Sequence, residues 1–427
     1  MTPVKFHPFL VLTFLFCATA CSNSHPIDHR PMSPEEIAVP KGRYQDGVDM
    51  NHTCRVDLPV PVAEPTVAWS ISLTPLNDYT GILVDGHGGT WYNNSPSGGS
   101  LSRIVKLAQD GSTEFSMNIV SNGPVIPVLA LEEGMIVQVV SRNELYLLCF
   151  DTSGAERWKS DSMELGRGLS NLTMRVSETE LAVSYSPTDI QFLDIATGEF
   201  TSSIIIPGRS IGAAPMLLPL ANGEWILPGG GEDTNGDNYY HLSRLTETGA
   251  VIWSHTFPGN TWSMPVSITP NGYIGRPSRS GFSIFDSDSG TELHSLWSDT
   301  NYVCGVTPDN HFIVSGRDYK FDTDSIRSVS TDGRVTWSVD AWSDGRNGVV
   351  IYSDGSVLAA HSEGVILISS TGQVQWNIDP QKFGFSSGRF GVYPSVNPLP
   401  DGGFMLFARD GDDVSNGGIF CLQPLDK

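Results

Sequence analysis

The sequence predicts an all-β protein built from a repeated unit. A glycine turn followed four residues later by an aromatic residue recurs at Gly111/Phe115, Gly154/Trp158, Gly249/Trp253, Gly333/Trp337 and Gly372/Trp376. Gly198 and Gly290 keep the turn without an aromatic residue at that position, and the spacing runs from 39 (Gly333 to Gly372) to 51 (Gly198 to Gly249). With 44 Gly, 28 Pro and only 17% charged residues, many short strands joined by tight turns are favoured over long helices. A period in this range is typical of repeat rings and arrays.

Each repeat can be divided into four strands, which we call a to d. In the clearest copy, segments 348–352 and 356–360 flank Asp354-Gly355, and segments 365–368 and 374–378 flank Thr371-Gly372. Two hairpins with such turns form a four-stranded meander. The same phase places units at about 67–119, 124–160, 169–205, 213–256, 263–297, 301–339, 347–378 and 392–423. We therefore predict an eight-bladed β-propeller, with seven blades as the alternative.

The last unit lacks a fourth strand, because only four residues follow Gln423. An open ring would leave an unpaired strand edge, which invites association with other chains. We expect the segment from about His52 to Leu58 to supply this strand, so that both ends of the chain close one domain of residues 51–427. Cys54 would then lie beside Cys421, and the two either form a disulfide or remain buried free thiols.

The N-terminal residues predict export. Lys5 precedes an apolar run from Phe9 to Phe16, and a small-residue site at 18–20 lies directly before Cys21. This order resembles a bacterial lipoprotein signal in which Cys21 is lipidated, although Ala18 stands where that signal usually has Leu, and an ordinary signal peptidase would also accept the site. We interpret residues 1–20 as the signal peptide and 21–50 as the lipidated Cys and a flexible tether. Ser22 favours the outer membrane, with the protein periplasmic or surface-exposed.

The charge balance restricts the possible partners. The formal net charge is −22 at pH 7, which argues against nucleic acid because phosphate binding needs a basic surface. The same charge favours a soluble, self-repelling chain. We expect a monomer that contacts the membrane only through its lipid anchor.

Two turns resemble a known repeat. Segments 192–199 (FLDIATGE) and 284–292 (IFDSDSGTE) are similar to the Asp-x-x-Thr-Gly turn of the PQQ-like β-propeller repeat, and the aromatic four residues after the glycine matches that family's docking Trp. The resemblance implies that these tryptophans pack between neighbouring blades. The signal and the blade number also resemble the BamB-like propeller lipoproteins, which implies a scaffold for outer-membrane assembly. The motif is degenerate here, since no copy is complete.

Cofactor and metal sites are weakly indicated. PQQ is not expected, because the chain has no adjacent Cys pair and is short for a quinoprotein dehydrogenase. Asp233, Asn235 and Asp237 alternate oxygen side chains as a Ca²⁺ loop does, but Asn238 and Arg244 occupy places where that loop needs Gly and a bidentate carboxylate. We therefore expect a polar loop there and no bound cofactor.

Phasing the repeat assigns its basic residues to one face. In a propeller the d–a connections and b–c loops open on one side, here called the loop face, while the a–b and c–d turns form the opposite turn face. Arginines recur after Gly in d–a connections and at the ends of b strands: Arg167, Arg209, Arg346 and Arg389, then Arg142, Arg276, Arg317 and Arg409. Guanidinium groups bind carboxylate or phosphate bidentately, and a flanking Gly lets backbone amides approach an anion. The alternative is that they pair with carboxylates such as Asp318 and Asp410 and fix adjacent blades.

These observations favour a non-catalytic binding or scaffold module for an envelope protein or an anionic polymer. The alternative is a lyase or hydrolase that acts on an acidic polysaccharide at the central mouth. His361, at the end of a b strand, and His87, which we place between strands b and c of blade I, are its candidate catalytic residues. A BamB-like assembly scaffold is the third hypothesis.

Overall fold

The protein is described from a computed structural model. The described residues are 55–73, 82–85, 87–94, 101–121, 123, 125–131, 134–141, 144–164, 173–184, 189–206, 217–220, 222–232, 238–258, 266–278, 281–296, 301–318, 323–341, 348–391, 394–411, 413 and 416–424. Within them the regular structure is β-strand apart from one 3-10 helix, Pro380–Phe383. A search of these residues for a helix long and apolar enough to cross a membrane found none.

Two N-terminal strands precede the first blade, and the next four sheets follow in chain order. The N-terminal strands are β1 (Arg55–Val56) and β2 (Thr66–Ser72). Blade I has β3 (Ile82–Val84), β4 (Thr90–Asn94), β5 (Leu101–Leu107) and β6 (Thr113–Val120). Blade II has β7 (Val125–Leu131), β8 (Gly134–Ser141), β9 (Glu144–Asp151) and β10 (Glu156–Lys159), with β11 (Met163–Glu164) also paired to β9. Blade III has β12 (Thr173–Arg175), β13 (Glu180–Ser184), β14 (Asp189–Asp194) and β15 (Phe200–Ile205). Blade IV has β16 (Leu218–Pro219), β17 (Trp225–Glu232), β18 (Asn238–Leu245) and β19 (Val251–Pro258).

The remaining four sheets complete the ring. Blade V has β20 (Ser267–Ile268), β21 (Tyr273–Ser278), β22 (Gly281–Asp286) and β23 (Glu292–Leu296). Blade VI has β24 (Asn301–Val306), β25 (Phe312–Asp318), β26 (Thr323–Val329) and β27 (Val335–Asp340). Blade VII has β28 (Val349–Tyr352), β29 (Val357–His361), β30 (Gly364–Ile368) and β31 (Val374–Ile378). Blade VIII has β32 (Ser395–Pro398), β33 (Phe404–Arg409) and β34 (Gly417–Gln423). The predicted eight-bladed propeller is confirmed, and the seven-bladed alternative is wrong.

The core is divided among the gaps between blades. Eight clusters of buried apolar side chains lie there, one between each pair of neighbouring sheets, including blades VIII and I. Strand a of one blade contacts strand a of the next, as β28 does with β24 and β32, which places these strands around the axis. Each blade is thus held mainly by its two neighbours, as expected of a repeat ring.

The glycine turns and the tryptophans lock neighbouring blades together. All seven repeat glycines adopt left-handed φ values between 71° and 87°, a conformation that favours Gly. In five interfaces a Trp on strand d packs against the next blade and donates its Nε1–H to a backbone carbonyl. The acceptor lies in the next blade for Trp69 to Gln109 (2.7 Å), Trp158 to Ile195 (3.0 Å), Trp253 to Ser287 (3.0 Å) and Trp337 to Ser370 (3.1 Å), and in the N-terminal part of the chain for Trp376 to Pro61 (2.7 Å). The predicted packing role of the tryptophans is confirmed.

The ring is closed by the N-terminal part of the chain, but not by the strand predicted from sequence. Thr66–Ser72 pairs antiparallel with β34 and supplies strand d of blade VIII, so blade I begins at Ile82 instead of residue 67. The expectation that His52 to Leu58 would fill this position is therefore wrong. Arg55–Val56 instead pairs in parallel with β28, on the edge that faces the axis. The alternation pattern of residues 66–72 does not distinguish a first strand from a last one, which explains the error.

Residues 55–65, here called the N-terminal segment, join these two positions. Val56 is buried between blades VII and VIII, and Leu58 and Val60 pack against the same cluster. Pro61 accepts the Trp376 hydrogen bond that a c–d turn provides in other blades. Cys421 is buried with a free thiol and lies opposite Trp69. Cys54 lies outside the described residues, so the disulfide stays a prediction, but its premise of adjacent strands no longer holds.

Candidate functional site

The loop-face arginines fall into three groups in the structure. Arg142, Arg167, Arg209 and Arg346 lie outside the described residues, as do Cys21 and the candidate Ca²⁺ ligands Asp233, Asn235 and Asp237. Arg317 is placed near the end of β25, where only its backbone is described. The side chains that the structure describes are those of Arg276, Arg389 and Arg409. Arg389 and Arg409 form a surface pair on blade VIII, and Arg276 is buried on blade V.

Arg389 and Arg409 lie on either side of a short antiparallel bridge on the loop face. Phe390 pairs with Asp410 in this bridge, and the Gly391 N–H donates to the Arg409 carbonyl at 2.7 Å. Arg389 is exposed and Arg409 is half-buried. The d–a connection from blade VII and the end of strand b of blade VIII thus bring together two arginines that are 20 residues apart in sequence.

The glycines beside these arginines make room for the arginine stems. A Cβ on Gly411 would lie 2.6 Å from Cγ of Arg389, and a Cβ on Gly391 would lie 2.9 Å from Cγ of Arg409. The Gly411 N–H donates to the Arg389 carbonyl at 3.0 Å. Both glycine amides therefore bond within the bridge. The glycine that precedes Arg389 in the sequence motif is Gly388, and the approach of its amide to an anion stays a prediction.

A buried carboxylate supports the base of this pair. Asp410 is fully buried, and its Oδ2 accepts hydrogen bonds from Ser386 N at 2.8 Å and Ser386 Oγ at 3.2 Å. The carboxylate therefore fixes the connection that carries Arg389 against the strand that carries Arg409. We call Arg389, Arg409 and Asp410 the blade VIII site.

Arg276 occupies a different environment between blades IV and V. Its guanidinium Cζ lies 3.9 Å from the ring centroid of Phe257 and 4.7 Å from that of Tyr240. It is only 8% exposed, and burial lowers the pKa of its guanidinium. It does not share a surface with Arg389 and Arg409. Sequence reasoning missed Tyr240 and Phe257, because their relation to Arg276 depends on how two blades face each other.

The two candidate catalytic histidines lie on opposite faces of the ring. His361 ends β29 on the loop face, is 3% exposed and accepts a hydrogen bond at Nδ1 from the Glu363 N–H at 3.4 Å. Burial lowers its pKa to about 4, so it is neutral at pH 7. His87 lies in the turn between β3 and β4, strands a and b of blade I, which places it on the turn face. Its assignment between strands b and c was wrong, because blade I begins 15 residues later than the sequence phase suggested.

The residues around His87 form a structural cluster. Asp85 is 1% exposed, and its carboxylate accepts from the amides of His87 (3.0 Å) and Gly89 (2.8 Å) and from Trp91 Nε1 (3.0 Å). Lys106 Nζ lies 3.7 Å from the same carboxylate and 5.4 Å from the Trp91 ring centroid. A carboxylate with this many donors fixes a tight turn. The exposed His87 side chain lies at the rim of that turn.

Within the described part of the chain, no three His, Cys, Asp or Glu side chains are grouped closely enough to hold a metal ion.

The fold resembles several solved structures. Quinohemoprotein alcohol dehydrogenase from Comamonas testosteroni matches with a TM-score of 0.60 and 13% identity, covering 91% of this chain and 81% of that one. The europium-containing methanol dehydrogenase matches with a TM-score of 0.60 and 11% identity, covering 92% and 99%. The predicted resemblance to PQQ-like β-propellers is thereby confirmed at the level of the fold. BamB from Moraxella catarrhalis matches with a TM-score of 0.49 and 18% identity, covering 84% and 99%.

These likenesses concern the fold alone. The identities are low, and one fold hosts many unrelated functions. No family model and no curated protein matches this sequence. The function must therefore be argued from the chemistry of this chain's own residues.

Proposed function

We propose that this protein is a non-catalytic binding module that takes an anionic partner on its loop face. The blade VIII site carries the proposal, because it combines two arginine side chains at one place with a rigid support beneath them. Guanidinium groups suit carboxylates, sulfates and phosphates, and their donors are fixed in a plane. A local basic site also attracts anions within a molecule of net charge −22.

The partner that best fits this chemistry is an acidic polymer or an acidic surface of an envelope protein. The Cys21 signal motif supports a location in the bacterial envelope, with the protein exported and anchored by lipid. Incorporation of labelled palmitate that is lost in Cys21→Ala would support the anchor. Incorporation that persists in this variant would contradict it.

The histidine positions support binding over catalysis. His87 and His361 lie on opposite faces, so they cannot act on the same bond. His361 is also buried and uncharged at neutral pH. A lyase or hydrolase needs its acid or base within hydrogen-bond reach of the reacting atoms. The chain next to His361 contacts the arginine pair, since the Phe390 N–H donates to the Ser362 carbonyl at 2.7 Å, but the His361 side chain itself is buried.

The test compares two arginine changes on the loop face with one on the turn face. Polygalacturonate binding would be measured by calorimetry for the wild type, for Arg389→Ala/Arg409→Ala and for Arg334→Ala. Arg334 is the control, because its side chain is 81% exposed and pairs with Asp332 in a c–d turn. We expect the double variant to bind at least about tenfold more weakly, in line with the loss of one or two charged hydrogen bonds, and the control to stay within about twofold of wild type.

Two results would overturn the proposal. Equal loss in Arg334→Ala would show that binding follows overall charge and not the blade VIII site. Release of unsaturated or reducing ends from the polymer, measured in the same samples, would show that the protein is an enzyme.

A further inference from the structure

The interface between blades IV and V contains polar groups that blade packing does not need. Tyr240 on β18 and Phe257 on β19 are directly paired across strands, with ring centroids 6.4 Å apart. Both rings face blade V, where the Arg276 guanidinium lies over them. Trp253 lies on the same strand as Phe257, four residues before it, and already docks these blades through its bond to the Ser287 carbonyl. Arg276 is therefore an addition to a complete docking contact.

The charge of Arg276 is not neutralised nearby. Its Nε is buried and has no hydrogen-bond partner among the described residues. None of the ion pairs found among the described residues includes Arg276. Glu292 acts on it only through space and is itself exposed. Two aromatic faces attract a cation, but they do not replace the hydrogen bonds that a guanidinium makes in water. A buried cation without a paired anion is unfavourable.

A second group beside Arg276 also lacks a partner. The Tyr240 hydroxyl is fully buried and makes no hydrogen bond to a described residue. Nε2 of His255 has no partner among the described residues either, but it lies against the Gly290 turn, where a Cβ on that glycine would be 2.8 Å away. Buried polar atoms are nearly always satisfied in native proteins. The Arg276 guanidinium and the Tyr240 hydroxyl are both donors, and an anion that lies between them could accept a hydrogen bond from each.

We propose that this gap is a binding site for a small carboxylate, held by the Arg276 guanidinium and the Tyr240 hydroxyl. The planar fork of Arg fits the two oxygens of a carboxylate, and the rings of Phe257 and Tyr240 keep water from one side of it. The site lies on blades IV and V, apart from the blade VIII site, and does not depend on the proposed polymer binding. Its ligand is either a free carboxylic acid or the end group of a larger molecule.

The first measurement is the thermal unfolding of the full-length protein in acetate, in galacturonate and in equimolar acetamide at constant ionic strength. A ligand that binds only the folded state raises Tm with concentration. We expect both carboxylates, and not acetamide, to raise Tm of the wild type. Arg276→Met, which keeps the stem and removes the charge, should lose this increase. Its Tm without carboxylate should equal or exceed that of wild type, because an unpaired buried charge is gone.

Calorimetry with acetate then measures the separate contributions of Arg276 and Tyr240 to binding. Tyr240→Phe should weaken acetate binding about fivefold, the effect of one hydrogen bond, while Arg389→Ala should bind acetate as wild type does. Binding of acetate but not galacturonate would identify a free small acid as the ligand, and binding of both would fit a larger acid.

If acetate raises Tm of Arg276→Met as much as that of the wild type, the proposal is wrong. It is equally wrong if Arg276→Met lowers Tm by several degrees without carboxylate, since Arg276 would then be structural.

Discussion

The interface between blades VII and VIII differs in kind from the interface between blades IV and V. The first is dominated by aromatic packing: Trp376 stacks on Phe404 with an interplanar angle of 5°, and Phe383, Phe385 and Phe390 surround Phe420. It also contains the buried hydroxyl of Tyr352, which makes no hydrogen bond to a described residue, but it contains no buried arginine among its described residues. The second contains Arg276 and the unsatisfied hydroxyl of Tyr240. Both use the same Trp docking bond. The shared part therefore holds the ring together, and the buried Arg276 is what distinguishes the second interface from the first.

The VII–VIII interface is also held by segments distant in sequence. The N-terminal segment crosses it, and the connection 379–391 covers it with a capped 3-10 helix, in which Asp379 accepts from the Gln381 N–H at 2.7 Å. An ion pair joins Lys382 of this connection to Glu64 of the N-terminal segment. Closure thus rests on packing and strand pairing between chain ends.

Of the changes considered, removal of the chain up to and including β2 should lower the stability of the protein most. A chain that begins at Leu73 leaves the β34 edge unpaired and uncovers part of the VII–VIII cluster. We expect a loss comparable with the whole stability of an ordinary domain, about 5 kcal/mol or more, and self-association through the free edge. Light scattering and thermal circular dichroism would measure both. A chain that begins at Arg55 is the control, and a monomeric, fully stable chain from Leu73 would refute this view of closure.

Trp376 and Trp253 test whether the two interfaces contribute differently to stability. Trp376 is 6% exposed and stacked, so Trp376→Ala should lower the free energy of unfolding by about 3–5 kcal/mol. Trp253 is half-buried, and Trp253→Ala should cost about 2 kcal/mol. Urea unfolding measures the difference. Equal losses would mean that the VII–VIII interface contributes no more to the free energy of unfolding than the IV–V interface does.

His361 provides a pH-dependent test in blade VII. Burial lowers its folded-state pKa to about 4, while an unfolded His titrates near 6.5. The unfolded chain therefore binds a proton first, and stability that is present above pH 6.5 is lost as the pH falls toward 4. We expect wild type to lose about 3 kcal/mol more than His361→Gln over this range. Parallel pH profiles of unfolding for the two proteins would show that His361 is accessible in the folded state.

Alanine substitutions at two glycine turns, Gly290 and Gly384, test how tightly each interface is packed. Both are left-handed, with φ of 71° and 81°. A Cβ on Gly290 would lie 2.7 Å from Trp253 Cδ2, whereas a Cβ on Gly384 would meet no atom within 4 Å. Each Ala variant bears the cost of the left-handed conformation, about 1 kcal/mol, and Gly290→Ala adds overpacking of about 2 kcal/mol. Chemical unfolding that ranks the two variants equally would argue against tight docking of blades IV and V.

The sequence predicted the ring and its closure by both ends of the chain, but not which strand closes it or that Arg276 is buried. The glycine spacing determined the blades because each left-handed turn receives a side chain of the preceding blade, as Gly372 does with Trp337. It misplaced strand d of blade VIII, since residues 66–72 have the alternation of any strand and Trp69 has no glycine turn before it. The phase placed Arg389 and Arg409 at one end of blade VIII. The burial of Arg276 could not be foreseen, because its aromatic partners come from another sheet.

The closing contact also has a consequence for how this chain reaches its native state. Trp376 and Pro61 are joined by a hydrogen bond across 315 positions of sequence, so the N-terminal segment cannot complete this contact until blade VII has been made. Contacts of such long range carry a high loop-closure entropy and slow folding. A circular permutant that carries residues 55–72 after residue 424 would make the same contact local. Its refolding should be faster than that of the natural order.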